Sequence, residues 1–190
     1  MSDLPRMGFA SAHEWRAWLT ENHGTPRGLL LKIAKKGSPE TSVTYPEAVE
    51  VALCFGWIDG QSFRLDDDFW LQKFTPRRPR SKWSAINREK VTRLIAEGQM
   101  QPAGLAQIEA AQADGRWDVA YAPASTATVP DDLAAALEAN PMAKAFFATL
   151  NRTNRYAIIY RVNDAKRPET RARRIATFVA MLKDRQVPHS

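Results

Sequence analysis

The residues best suited to chemistry lie between Trp57 and Trp83. Arg77, Arg78, Arg80 and Lys82 fall within six positions, and a guanidinium fork matches the oxygens of a phosphate or carboxylate in pairs. Pro76 and Pro79 keep this basic run extended, because each fixes its own φ and pushes its predecessor out of the helical region. Trp57 and Trp83 flank the run and could stack on a ligand ring or cover it. Asp59 sits between Ile58 and Gly60; facing a cavity, it would be desolvated, its pKa would rise, and it could act as a general acid or base. Trp57, Asp59, Arg77, Arg78, Arg80, Lys82 and Trp83 are therefore the candidate ligand-binding set, with Asp59 the candidate catalytic residue. The ligand is expected to be an anionic small molecule or an acidic protein partner.

The same residues have a structural reading. Asp59 would pair with an arginine, and the basic run would pair with Asp66, Asp67 and Asp68. A rival functional reading makes the protein an enzyme, with Asp59 as acid or base and Arg77 and Arg80 stabilising an anion. A third places nucleic acid on Arg171, Arg173 and Arg174 near the C-terminus; it is not favoured, because no recognised reading motif accompanies them.

Other chemistries have little support. His13, His23 and His189 show no metal-ligand spacing, and a lone Cys54 cannot build a zinc site. There is no P-loop, no dinucleotide-binding glycine pattern and no GxSxG. No metal and no cofactor is expected.

The elements that must hold the site follow from capping signals and periodicity. Ser11 and Glu14 form a capping box for a helix over 11–23, with Trp15 and Trp18 on its core face. Residues 29–34 alternate as a strand. Thr44 and Glu47 form a second capping box for a helix whose face is Tyr45, Ala48, Val49, Ala52 and Leu53, closed at Gly56. Residues 57–64 and 69–74 read as a hairpin with an acidic tip at 65–68. Ser84 and Pro102 open two further helices. The spacing predicts four more over 131–139, 141–150, 154–162 and 168–185. In the last, Ile175, Phe178, Val179 and Leu182 are buried while Arg171, Arg173 and Arg174 stay wet. The expected fold is α+β: a small antiparallel sheet of about three strands packed with helices, followed by a C-terminal cluster of about four helices. The expected organisation is an α+β domain over 1–121, a linker over 122–130 rich in Ala, Pro and Thr, and a helical subdomain over 131–190.

Length and composition agree with a globular protein. The chain has 190 residues, 44% of them hydrophobic and 25% charged, with net charge +6. The excess charge sits in the C-terminal third, where 11 Lys and Arg face 6 Asp and Glu over residues 122–190. Cys54 lies in an apolar helical pattern, which suits a buried thiol in a reducing compartment. No run of apolar residues is long enough to span a membrane, and the N-terminus lacks the apolar core of a secretion signal. The expected location is cytoplasmic.

Four runs also carry a resemblance: EAVEVALCFGWIDGQ at 47–61, FTPRRPRSKWS at 74–84, DGRWD at 114–118 and AKRPETRARRI at 165–175. Together they resemble the YdeI/OmpD-associated family over most of the chain, from about residue 9 to 185. The resemblance implies a bacterial stress-response protein concerned with protection against bacteriocins or cationic antimicrobial peptides. It implies no catalytic residues.

Overall fold

The computed structural model describes residues 3–189. The chain divides into two compact units, Met1–Ala120 and Tyr121–Ser190.

The first unit contains a mixed sheet of four strands, β1 (Arg6–Gly8), β2 (Leu29–Ala34), β3 (Trp57–Arg64) and β4 (Phe69–Pro76). They are ordered β1-β2-β4-β3. This corrects the expected three antiparallel strands: β2–β4 and β3–β4 are antiparallel, but β1 pairs with β2 in parallel. β1 is only three residues long, too short to show any periodicity of its own.

Four helices belong to the same unit: α1 (Ala12–Asn22), α2 (Tyr45–Cys54), α3 (Ala85–Ala96) and α4 (Pro102–Ala113). Ser11 caps α1 by accepting from the Glu14 amide. Glu14 reaches one residue beyond the expected box and accepts from Ala10 N at 2.9 Å. At α2 both the amide and the hydroxyl of Thr44 donate to Glu47. That donation holds the Glu47 carboxyl below its ordinary range.

The core lies between the helices and one sheet face. Trp15 and Leu19 of α1, most of α2, and Leu29, Leu31, Ile33, Trp57 and Phe74 of the sheet share one apolar cluster. Tyr45 departs from the expected helix face at 37% exposure, because its hydroxyl reaches Asp59 instead. α3 turns Asn87, Val91 and Leu94 inward and leaves Ile86 and Ile95 exposed. Glu50 of α2 ties α3 down through Lys90 and Arg93, each at 2.7 Å. Partial burial alone would raise the Glu50 pKa; the two hydrogen-bonded cations outweigh it and hold the carboxyl below its ordinary value.

The second unit contains α5 (Asp131–Glu138), α6 (Pro141–Thr149), α7 (Arg152–Asn163) and α8 (Pro168–Lys183). Its core includes Leu133, Leu137, Phe147 and Ile158 with the expected stripe Ile175, Phe178, Val179 and Leu182. Arg171 is not simply a wet residue: it clasps Asp132 with two hydrogen bonds, one of 2.8 Å, and donates to Val162 O. Arg174 likewise reaches Asp164 and the Arg161 carbonyl. Two of the three arginines considered for nucleic acid are thus engaged within this unit.

No helix among the described residues is long and apolar enough to cross a membrane.

Candidate functional site

The extended stretch from Phe69 to Pro76 leaves β4 as the basic run, and the sheet decides what that run meets. Leu29 of β2 pairs with Phe74 of β4. Residues just before β2 therefore lie beside residues just after β4. The approach is close enough to require glycine at position 28, where a Cβ would sit 2.0 Å from the Phe74 carbonyl oxygen.

A hollow of about 440 Å³ opens at this junction. Among the described residues, Arg27, Lys73, Arg77 and Arg78 line it, with Leu4, Pro26, Thr75, Pro76 and Pro79 as its less polar wall and Asp3 as the one carboxylate. Four cations against one acid make it an anion-attracting surface. Arg77 and Arg78 belong to the set expected from sequence. Arg27 lies fifty residues before Arg77 in the chain, and nothing in its own neighbourhood marks it.

The rest of the expected set is dispersed. Trp57 is fully buried in the core, edge-on to Trp15 and Trp18, and donates from Nε1 to the His23 carbonyl at 2.9 Å. Trp83 is 1% exposed and packs edge-on against Trp117 with ring centroids 5.2 Å apart. Neither indole lines the hollow. Both owe their place to burial of a large apolar surface.

Arg77 links the two regions. It is only 6% exposed, its guanidinium carbon lies 3.7 Å from the centre of the Trp83 ring, and Nη2 donates to the Lys82 carbonyl at 2.6 Å. Its amide donates to Gly56 O. This stacked, desolvated cation is a strut as much as a ligand contact.

Arg78 is exposed beside it. Its amide donates to Ser81 Oγ and its carbonyl accepts from Ser81 N, closing a tight turn with Pro79 and Arg80 at the centre. Arg116 braces the turn by donating to Ser81 O at 2.8 Å while gripping Asp114. Arg80 and Lys82 are exposed and do not line the hollow.

Asp59 also lies elsewhere. It pairs across the sheet with Phe74, is half-buried, and accepts from the Tyr45 hydroxyl at 2.7 Å. The acidic tip of the hairpin does not serve the basic run. Asp67 meets Arg64, Asp68 meets Ser38, and the Asp66 carbonyl accepts from Lys35. Eight-residue strands separate the two ends of the hairpin by roughly 25 Å.

Among the described residues no group of three or more His, Cys, Asp or Glu could hold a metal ion. Cys54 is buried, with Arg16 Nη2 at 3.5 Å from its sulfur. Burial raises its pKa despite that cation, which makes it a poor nucleophile.

No curated protein matches the chain, and no solved structure does either. Two family models match separate parts. The model described as Bacteriocin-protection, YdeI or OmpD-Associated matches residues 126–185. The resemblance expected from residue 9 onward is therefore confined to the C-terminal part. The runs at 47–61 and 74–84, which carry the basic hollow and its surroundings, lie instead within residues 7–107, matched by the model described as Domain of unknown function (DUF8412). That second match spans more than half of the chain, so the protein belongs to the DUF8412 family and bears a C-terminal segment similar to the YdeI/OmpD-associated proteins.

Proposed function

We propose that the first unit is an anion-binding module whose site is the hollow between the start of β2 and the end of β4. The observation that supports this is the convergence of Arg27, Lys73, Arg77 and Arg78 on one concavity, with Asp3 the single acid among its described lining residues. Arg78 and Lys73 would contact the anion as mobile cations. Arg77, fixed on Trp83, would present its charge without further ordering cost. Trp57, Trp83 and Asp59 act as supports, and Arg80 and Lys82 add to the surrounding positive potential.

Binding is favoured over catalysis because Asp59 is not among the residues lining the hollow, and its carboxylate is occupied by Tyr45. The similarity of residues 126–185 to the bacteriocin-protection family suggests that the anion-binding unit serves a cytoplasmic stress or antimicrobial-resistance role.

The test is calorimetric titration with inorganic pyrophosphate of the wild-type protein and of the double variant K73A/R78A. Binding by the wild type that is lost in the double variant, with both melting alike, supports the site. Equal affinity in the two proteins would remove it.

A further inference from the structure

The two faces of the sheet differ. Leu31, Ile33, Trp70 and Phe74 point into the core with Met7. Their neighbours in sequence point the other way, since strand side chains alternate. The pairing Arg6–Leu30–Lys73 and Gly8–Lys32–Leu71–Phe63 sets two rows across this outer face, and Ala34 and Phe69 set a third. Leu30 and Leu71 belong to neither apolar core cluster but are themselves buried, at 4% and 3% exposure, so the accessible part of this face is its cationic and phenyl side chains.

The outer face has a composition of its own. At these register positions it carries Arg6, Lys32 and Lys73 and no carboxylate, together with the rings of Phe63 and Phe69. Glycines occupy both edges: a Cβ at Gly8 would lie 3.7 Å from the Lys32 stem, and one at Gly60 3.6 Å from the Lys73 stem. With no side chain beside them, the two lysine stems have open edges along the sheet. Arg6, Gly8 and Gly60 are exposed, and Lys32, Lys73, Phe63 and Phe69 are half-buried. Lys32 Nζ rests 4.1 Å from the centre of the Phe69 ring. Lys73 is shared with the hollow, so the cationic face continues through Thr75 into Arg27, Arg77 and Arg78.

We propose that this outer sheet face, continuous with the arginine-lined hollow, binds single-stranded nucleic acid. The charge pattern selects a polyanion, and the phenyl rings select one whose planar groups are free to stack. A duplex has its bases already stacked and would meet only the cations. The strand would run along β4 from Phe69 toward Arg78, with a phosphate in the hollow, a base on Phe63, and Lys32 released from Phe69 to meet the backbone. Lys73 and Phe69 are four residues apart, or about 13 Å, so the face suits a site at the short end of the range seen for small single-strand-binding domains. The proposal rests on the anion-binding reading above and gives that anion a chemical class.

The experiment measures three probes on the full chain: inorganic pyrophosphate, a single-stranded oligothymidylate of about ten nucleotides, and the corresponding duplex. The oligothymidylate should bind more tightly than pyrophosphate or the duplex, with affinity falling steeply in salt. F63A should weaken oligothymidylate by about five-fold or more and leave pyrophosphate unchanged, and F63Y should restore it. Lys32 does not line the hollow, so K32Q provides an independent variant. It should flatten the salt slope for oligothymidylate by about 0.7 without affecting pyrophosphate. Pyrophosphate binding with no preference for the single strand, or with F63A and K32Q both like wild type, would overturn the strand proposal and leave the hollow standing. Failure of all three probes to bind would overturn both.

Discussion

Replacing Arg77 by alanine separates a structural role from a binding role at the hollow. The side chain is 6% exposed, its guanidinium lies 3.7 Å above Trp83, and Nη2 donates to the Lys82 carbonyl. A desolvated cation–π contact contributes about 2 kcal/mol, and a hydrogen bond from a charged group contributes about 1.5–3 kcal/mol. The two share one group and do not add fully, so R77A should cost about 3 kcal/mol. For a unit of this size the melting temperature should fall by roughly 10 °C. All six tryptophans, Trp15, Trp18, Trp57, Trp70, Trp83 and Trp117, precede the second unit. Tryptophan emission followed through a thermal melt therefore reports on the first unit alone. R78A serves as the comparison, since an exposed arginine should shift stability by no more than about 0.5 kcal/mol. An R77A protein melting within about 2 °C of wild type would refute the view of Arg77 as a strut. The hollow would then have to be reconsidered as a mobile surface loop.

Two further outcomes follow from the same geometry. G28A should destabilise the first unit by at least about 2 kcal/mol and abolish pyrophosphate binding, because the new Cβ would meet the Phe74 carbonyl at 2.0 Å and part β2 from β4; a tryptophan-monitored melt and a titration check it. In the second unit, hydrogen bonding from Arg171 lowers the Asp132 pKa. A carboxyl with a lowered folded pKa contributes stability above its unfolded pKa and loses that contribution as the pH falls through the folded value. The second unit should therefore weaken below about pH 4. Because Asp132 is partly exposed, the effect should be no more than about 1 kcal/mol. D132N should lack this component, as read by comparing amide hydrogen exchange in α5 and α8 of the two proteins at equal pH.

Much of the local structure was legible in the chain. The cap at Ser11, the box at Thr44, the hairpin around Asp66–Asp68 and the stripe Ile175, Phe178, Val179 and Leu182 each rest on interactions between residues a few positions apart. Such signals are carried by local spacing. β1 was not legible, because three residues carry no period and its parallel pairing with β2 depends on a distant partner. The tryptophans misled for a related reason: Trp57 and Trp83 have the composition of a binding wall, but their packing partners Trp15 and Trp117 lie 42 and 34 residues away.

The basic run itself was readable from sequence as a proline-stiffened cationic segment, and its charge required no fold to be recognised. Which cations would act together was decided by tertiary structure. Arg27 joins Arg78 only because Leu29 pairs with Phe74, and a shift of one residue would turn the neighbouring side chains to the opposite face. The alternation of each strand is written in its own residues, but register is a property of two strands, settled by which face the shared core buries. The chain alone therefore determined the charge and the stiffness of this segment, while the tertiary structure determined that Arg77 and Arg78 line the hollow, that Arg77 also stands on an indole, and that Arg80 is left to solvent.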